Sequence, residues 1–345
     1  MSGASRRLAL LALLAVLALT GGLVLALLSE AGAQPRYRLT QAGFRVLYMA
    51  PVFIGVEKGF FAQEGVDFGF TELDSGALGA AAVISGNAQI SDIDPLGVAR
   101  LQQEGQSLVL FYNLVGRVTL DLVVRTPVAQ RLGLSRDSPL PSRFAALKGL
   151  TIGITRPGAP TDVFARYFLV RAGLNPDRDA SLVQIGGVPA LAAAFKAERI
   201  DAFLLSPPLP QTLEREGLGR IVIRNTAGDV PELANTTYVA MFTTREYAQR
   251  NGPALQAYVR ALRQATAWIR GNKAEALRIL GEKYFKDTPA DSLAVSLDAT
   301  LPALSPDGRL SQASVQSYLD IFKTVGETVT AGSAEGLLWS NEFTK

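Results

Sequence analysis

The chain has 345 residues, 48% apolar and 19% charged, with a formal net charge of +3. It contains neither Cys nor His, which excludes disulfide frameworks, the common zinc sites, Cys or His nucleophiles and Ser-His-Asp triads. So small a positive excess, without a basic run or an Arg-aromatic patch, argues against a nucleic-acid partner.

The first 33 residues read as a leader rather than as fold. Arg6 and Arg7 precede an apolar run from Leu8 to Leu28, which closes on Ala31-Gly32-Ala33. That is the pattern of a cleavable secretory signal, with a mature chain starting at Gln34. The run is also nearly long enough to span a bilayer, so an uncleaved anchor is the alternative.

Beyond the leader, short apolar runs alternate with helical patterns. Phe44–Met49 reads as a strand, Pro51–Lys58 as a helix and Val66–Leu73 as a strand. Ala77–Ser85 reads as a helix stopped by Gly86, and Ile90–Ile93 as a strand. Asp94-Pro95 combines an N-cap with a first-turn proline, opening a helix to Glu104. Ser107–Val115 and Val118–Arg125 read as strands. Pro127, Pro139 and Pro141 mark 125–147 as a loop-rich passage.

A second alternating block follows. Strands are expected over Leu150–Thr155, Ser181–Ile185, Ile200–Leu205 and Arg220–Arg224. Helices are expected over Thr161–Ala172, Val188–Glu198 and Pro207–Glu216. After a turn-rich return, Tyr238–Thr243 reads as a strand. The rest is helical in pattern: Pro253–Arg270, Lys273–Phe285, Pro289–Leu301 and Gln312–Gly326. Two such blocks predict an α/β chain of two lobes built on mostly parallel sheets.

In open α/β sheets ligands collect beyond the carboxyl ends of the strands, where helix N-termini offer free N–H groups. Five helix starts qualify. The first is Met49-Ala50-Pro51-Val52-Phe53, with Tyr48 beside it; Pro51 opens the helix, and Tyr48, Met49 and Phe53 serve either as apolar contacts at its mouth or as core. The second holds Ser75, Gly76 and Ala77, a candidate cap with room for close backbone approach. The third, Gly153 to Asp162, brings Arg156, Gly158 and Thr161 to one mouth, a set suited to a carboxylate, sulfonate or phosphate. Gly187 and Ser206 mark the fourth and fifth. Each start also reads as ordinary capping or turn chemistry.

Asp92 and Asp94 need separate weighing. Asp94 reads as a helix cap. Strand side chains repeat every two residues, which puts Asp92 on the side of Asp94. Two carboxylates at a cleft wall favour an amine or hydroxyl donor, and with Arg156 opposite they would read a zwitterion. Arg117 and Thr119 are expected near the outgoing hinge.

The stretch from Tyr48 to Asp67 closely resembles the opening of ABC-importer solute-binding proteins of the taurine, sulfonate, nitrate and thiamine-precursor group, the NMT1-like type II periplasmic binding proteins. Leu147–Ile154 with Pro157-Gly158, Ile200–Pro208 and Trp268–Ala276 carry the likeness through the chain. The resemblance implies a two-lobed fold in which the chain recrosses near Tyr238, with a two-crossing hinge and a helical tail. It places 37–125 and 238–345 in the first lobe and 126–237 in the second. It also implies a periplasmic, non-enzymatic monomer without cofactor or metal. Such a protein carries a small solute to a membrane ABC permease and its ATPase, and its ligand cleft is lined by the helix starts above. Fungal relatives that make the thiamine pyrimidine use an active-site His and a Cys-rich iron site; this chain has neither residue. The alternatives are a solute-binding sensory module docking on a membrane receptor and, more remotely, an exported enzyme using Asp92, Asp94 and Glu57.

Overall fold

Two five-strand arrangements of the same order carry the fold. A computed structural model describes residues 36–73 and 76–345; the expected leader and Ser75 lie outside them. In the first arrangement β1 (Tyr37–Gly43) pairs in parallel with β2 (Val66–Glu72) along its length. β3 (Ser91–Ile93) and β4 (Leu108–Val115) flank β10 (Val239–Thr244), which runs antiparallel to both. A parallel bridge from Gln41 to Ile90 joins the two parts, with Ala42 N–H donating to Ile90 O at 2.9 Å. The order is therefore β2-β1-β3-β10-β4.

The second sheet has the order β7-β6-β8-β5-β9. β6 (Thr151–Ile154) pairs in parallel with β7 (Ser181–Gln184) and β8 (Ala202–Leu205). β5 (Asp121–Arg125) runs antiparallel to β8 and to β9 (Gly219–Ile223). In each sheet the one reversed strand is the one arriving from the other sheet: β5 follows β4 out, and β10 follows β9 back. This is the two-lobed, two-crossing fold.

Three expectations need correction. The strand expected at Phe44–Met49 is displaced: β1 ends at Gly43, and Leu47–Met49 form a 3₁₀ turn leading into the helix Ala50–Glu57. A short apolar run does not distinguish strand from buried turn, and β1 hides its register behind Arg38, Thr40 and Gln41. The passage 125–147 holds two short helices, Thr126–Arg131 and Leu140–Ala145, each with a proline in its first turn. There proline starts a helix rather than breaking one. Finally, Asp121–Arg125, expected with the first block, hydrogen-bonds within the second sheet. It is apolar on both faces, so alternation does not reveal which sheet it serves.

The crossings run side by side. Val118 N–H donates to Leu233 O at 3.1 Å, and Thr236 N–H to Gly116 O at 3.1 Å. Arg117 spans them, donating from Nη1 to Thr226 O at 2.9 Å. Just beyond, buried Asp121 accepts from Thr226 N–H and Oγ1 at 3.0 Å and from Gln211 Nε2 at 2.9 Å.

The C-terminal helices cover the first sheet and then reach the second. Gly252–Gly271 packs on Ala50–Glu57, and its buried Tyr258 donates to Gln41 Oε1 at 2.6 Å. Ala290–Thr300 meets Leu209–Arg215, and Gln312–Thr324 meets Pro160–Arg171.

Candidate functional site

The residues of interest sit where forward strands end or reversed strands begin. Gly43 ends β1, Ile93 ends β3 and Leu205 ends β8; Tyr238 precedes β10, and Thr119 lies just before β5. Topology therefore gathers these positions at the junction of the two sheets, the place where open α/β folds bind ligands.

Asp92 is the centre of this junction. It is 5% exposed, and Tyr48 OH lies 3.4 Å from its Oδ2. No donor reaches Oδ1 among the described residues. Burial pushes its carboxyl up to about 7, against the lowering effects of Tyr48 and of its own backbone amide. Gly43 makes the position possible, because a Cβ there would stand 3.0 Å from Oδ1.

Asp94 caps the helix Pro95–Gln103 as expected, accepting from Gly97 N–H at 2.9 Å. Burial raises its pKa too, opposed by the Gly97 amide and then by Arg100. Both carboxylates act on Tyr238. Burial holds that phenol well above its ordinary range, Asp94 and Asp92 add to the rise, and a hydrogen bond with Ser206 opposes it. Ser206, 8% exposed, also bonds Thr119 across the outgoing crossing, Oγ to Oγ1 at 2.7 Å. Tyr238, at the return crossing, thus links Asp92 and Asp94 of one lobe to Ser206 of the other, which Thr119 holds at the outgoing crossing.

The second-lobe mouth is organised differently from expectation. Thr161 is buried and holds its own loop, accepting from Thr155 N–H at 3.0 Å. Gly158 N–H is taken by Asp162 Oδ2 at 2.7 Å, and Gly158 O accepts from Arg100 Nη1 at 3.3 Å. Arg156 is exposed and enters no side-chain hydrogen bond or ion pair among the described residues. The cation at this interface is instead Arg100, whose Nη2 also pairs with Glu327 at 2.7 Å.

Other expected residues belong to the core or stand at helix starts. Phe53 belongs to the core, stacked on Tyr284 with ring centroids 4.3 Å apart. Met49 is fully buried, its sulfur 3.7 Å from Gln41 Nε2. Pro51 is buried in the first turn of its helix. Gly187 is an exposed N-cap beside β7, an edge strand of the second sheet. Gly76 and Ala77 start the helix Gly76–Ile84. The sequence reading missed Tyr238 and Arg100 as site residues. A polar Thr-Thr-Tyr triplet at the recrossing was the available signal for the first.

Residues 32–281 match the model of the NMT1-like family. The chain belongs to that family. Family relatives include the binding protein YtlA of Bacillus subtilis, 22% identical with 81% of each chain covered. The nitrate/nitrite binding protein NrtA of a Nostoc species is 28% identical over 76% of this chain. This chain spans only 62% of that relative's length. The alkanesulfonate-binding protein SsuA of Xanthomonas axonopodis, solved with MOPS, superposes with a TM-score of 0.67 at 18% identity, covering 85% of this chain and 94% of that one. At that identity the likeness is one of fold: a type II periplasmic binding protein.

Within this NMT1-like chain, the junction brings side chains of both sheets together. It contains hydroxyls and carboxyls but no His or Cys, and no group of three metal-ligating residues occurs among the described residues.

Proposed function

We propose that the protein is the periplasmic solute-binding component of an ABC importer, a monomer that closes its lobes on a small organic molecule and delivers it to a permease and its ATPase. We take the first lobe to end, and the second to begin, at the crossing near Arg117. The observation carrying this reading is the polar, buried cluster of Asp92, Tyr48, Tyr238 and Ser206 at the hinge-side junction of two like sheets. Family membership supports it, as do relatives named for nitrate, bicarbonate and alkanesulfonate binding. We take the solute to be a sulfonate, a carboxylate or a pyrimidine-type compound, anionic or zwitterionic, with no chemistry done on it.

Thermal melting against a broad library of sulfonates, carboxylates, pyrimidines, amines and inorganic anions tests this reading. A ligand at 100 times its dissociation constant stabilises by about 2.7 kcal/mol, which moves the midpoint by several degrees. Silence across the whole library would sink the solute-binding reading.

Closure has identifiable fastenings. Arg100 joins Glu327 to Gly158 O across the lobes, and Arg215 pairs with Asp291. Phe164 meets Tyr238 with ring centroids 6.3 Å apart. Because a ligand is held by its preference for the closed state, Arg100→Ala should speed ligand dissociation. Arg100 and Glu327 are partly exposed, so the effect is modest, about two- to fivefold. Stopped-flow dissociation measures it; an unchanged off-rate would remove Arg100 from the closure mechanism.

A further inference from the structure

We propose that the junction takes a solute bearing a nitrogen hydrogen-bond donor, an amine or an aminated heterocycle, which donates to Asp92 Oδ1. This inference rests on the solute-binding reading and narrows its ligand class.

One buried acceptor at the junction is unmet. Asp92 is nearly enclosed, yet only its Oδ2 has a neighbour, Tyr48 OH at 3.4 Å, a long contact. Oδ1 is left without a donor among the described residues. A buried carboxylate oxygen left bare is strongly unfavourable, and buried polar groups are nearly always bonded. A ligand that supplies the donor removes this penalty, so its affinity draws on a defect already present in the free protein.

Asp92 and Asp94 both face Tyr238. Arg100 is near Asp94 but is already engaged by Glu327 and Gly158 O. Arg117 is occupied by the crossing carbonyls, and Arg156 is exposed. Around Asp92 the facing groups are the phenols of Tyr48, Tyr238 and Tyr258. Those phenols are neutral, so among the described residues no free cation stands beside Asp92 to offset its charge when ionised, which disfavours a bare anion. Gly43 borders the same oxygen: a Cβ there would stand 3.0 Å from Oδ1.

The test uses matched pairs differing by one amino group: taurine and ethanesulfonate, γ-aminobutyrate and butyrate, 4-aminopyrimidine and pyrimidine. Sodium nitrate and sodium bicarbonate complete the set. In at least one pair, only the aminated member should raise the melting midpoint of the purified protein by several degrees. Asp92→Asn should then weaken that compound at least about tenfold by calorimetry, the usual size of a hydrogen bond to a charged group. Gly43→Ala, which crowds Oδ1 while keeping the carboxyl, should weaken it too and keeps the test open if Asp92→Asn folds poorly. Binding of the unaminated partners or the inorganic anions in preference, or aminated binding unchanged in both variants, overturns the inference and leaves the solute-binding reading standing. Anion binding that appears only below about pH 6 and disappears in Asp92→Asn overturns it as well, since Asp92 would then be the donor. A shift from none of these probes also overturns it, whereas the solute-binding reading falls only with the broader library.

Discussion

Gly308→Ala should lower stability by about 4 kcal/mol, and the melting midpoint by on the order of 5–10 °C. Gly308 has φ +71°, in the left-handed region where a Cβ is strained by about 1–2 kcal/mol. The larger effect is steric. A Cβ at this position would fall within the ring of Tyr112, which is fully buried on β4. Neither side has room to yield. Gly308 O accepts from Asn113 N–H at 2.8 Å, and Gly308 N–H donates to Ser305 Oγ at 2.9 Å, so moving the loop breaks bonds that tie the C-terminal tail to the first sheet. Gly326→Ala is the comparison. It has φ +85° but no atom within 4 Å of its would-be Cβ, so only the conformational part applies. Calorimetric melting of both variants separates the two contributions; equal losses would show that packing against Tyr112 is not what fixes Gly308.

The fold was legible wherever local chemistry decides. Asp94-Pro95 announced a capped helix, and Gly86, Gly105 and Gly173 stand where helices stop, each in the left-handed conformation. The order of strands and helices in the second block followed from apolar runs separated by turn residues. What failed was decided by distant partners. β5 carries nothing local that says which sheet it joins; its hydrogen bonds to β8 and β9 do. β1 reads as polar because Gln41 is buried for the sake of Tyr258, which lies far along the chain.

The site divides in the same way. Asp92 was visible as a carboxylate at a strand end. Its enclosure by Tyr48 and its approach to Tyr238 depend on both crossings being made. Phe53 misled because an aromatic at a helix mouth and an aromatic in a core look alike in sequence; Tyr284, which stacks on it, comes from the tail. Arg156 is exposed, while its neighbours Thr161 and Gly158 close their own loop.

Asp92→Asn should stabilise the ligand-free protein at pH 8 by about 2–4 kcal/mol, while changing it little near pH 4. The sign follows from the carboxyl being pushed up from 3.8 to about 7 in the folded state. Below the unfolded value both states are protonated, and Asp92 contributes no pH dependence. Between 3.8 and about 7 the folded chain keeps a proton that the unfolded chain has released, so stability falls as pH rises. Above about 7 the deficit is constant. The phenols of Tyr48, Tyr238 and Tyr258, all raised by burial, stay protonated throughout. Asp94 is raised as well, and Asp121 is pushed to about 7 by its own burial. The wild-type decline is therefore shared, and Asp92→Asn should flatten it without abolishing it. Melting midpoints from pH 4 to pH 9 measure this; parallel curves for the two proteins would mean that Asp92 ionises like an exposed carboxyl. The same scan with a bound aminated compound carries the argument to function. A donor on Oδ1 favours the ionised form, so the stabilisation it gives the wild type should grow from pH 5 to pH 8. In Asp92→Asn that growth should vanish, because the amide has no proton to release.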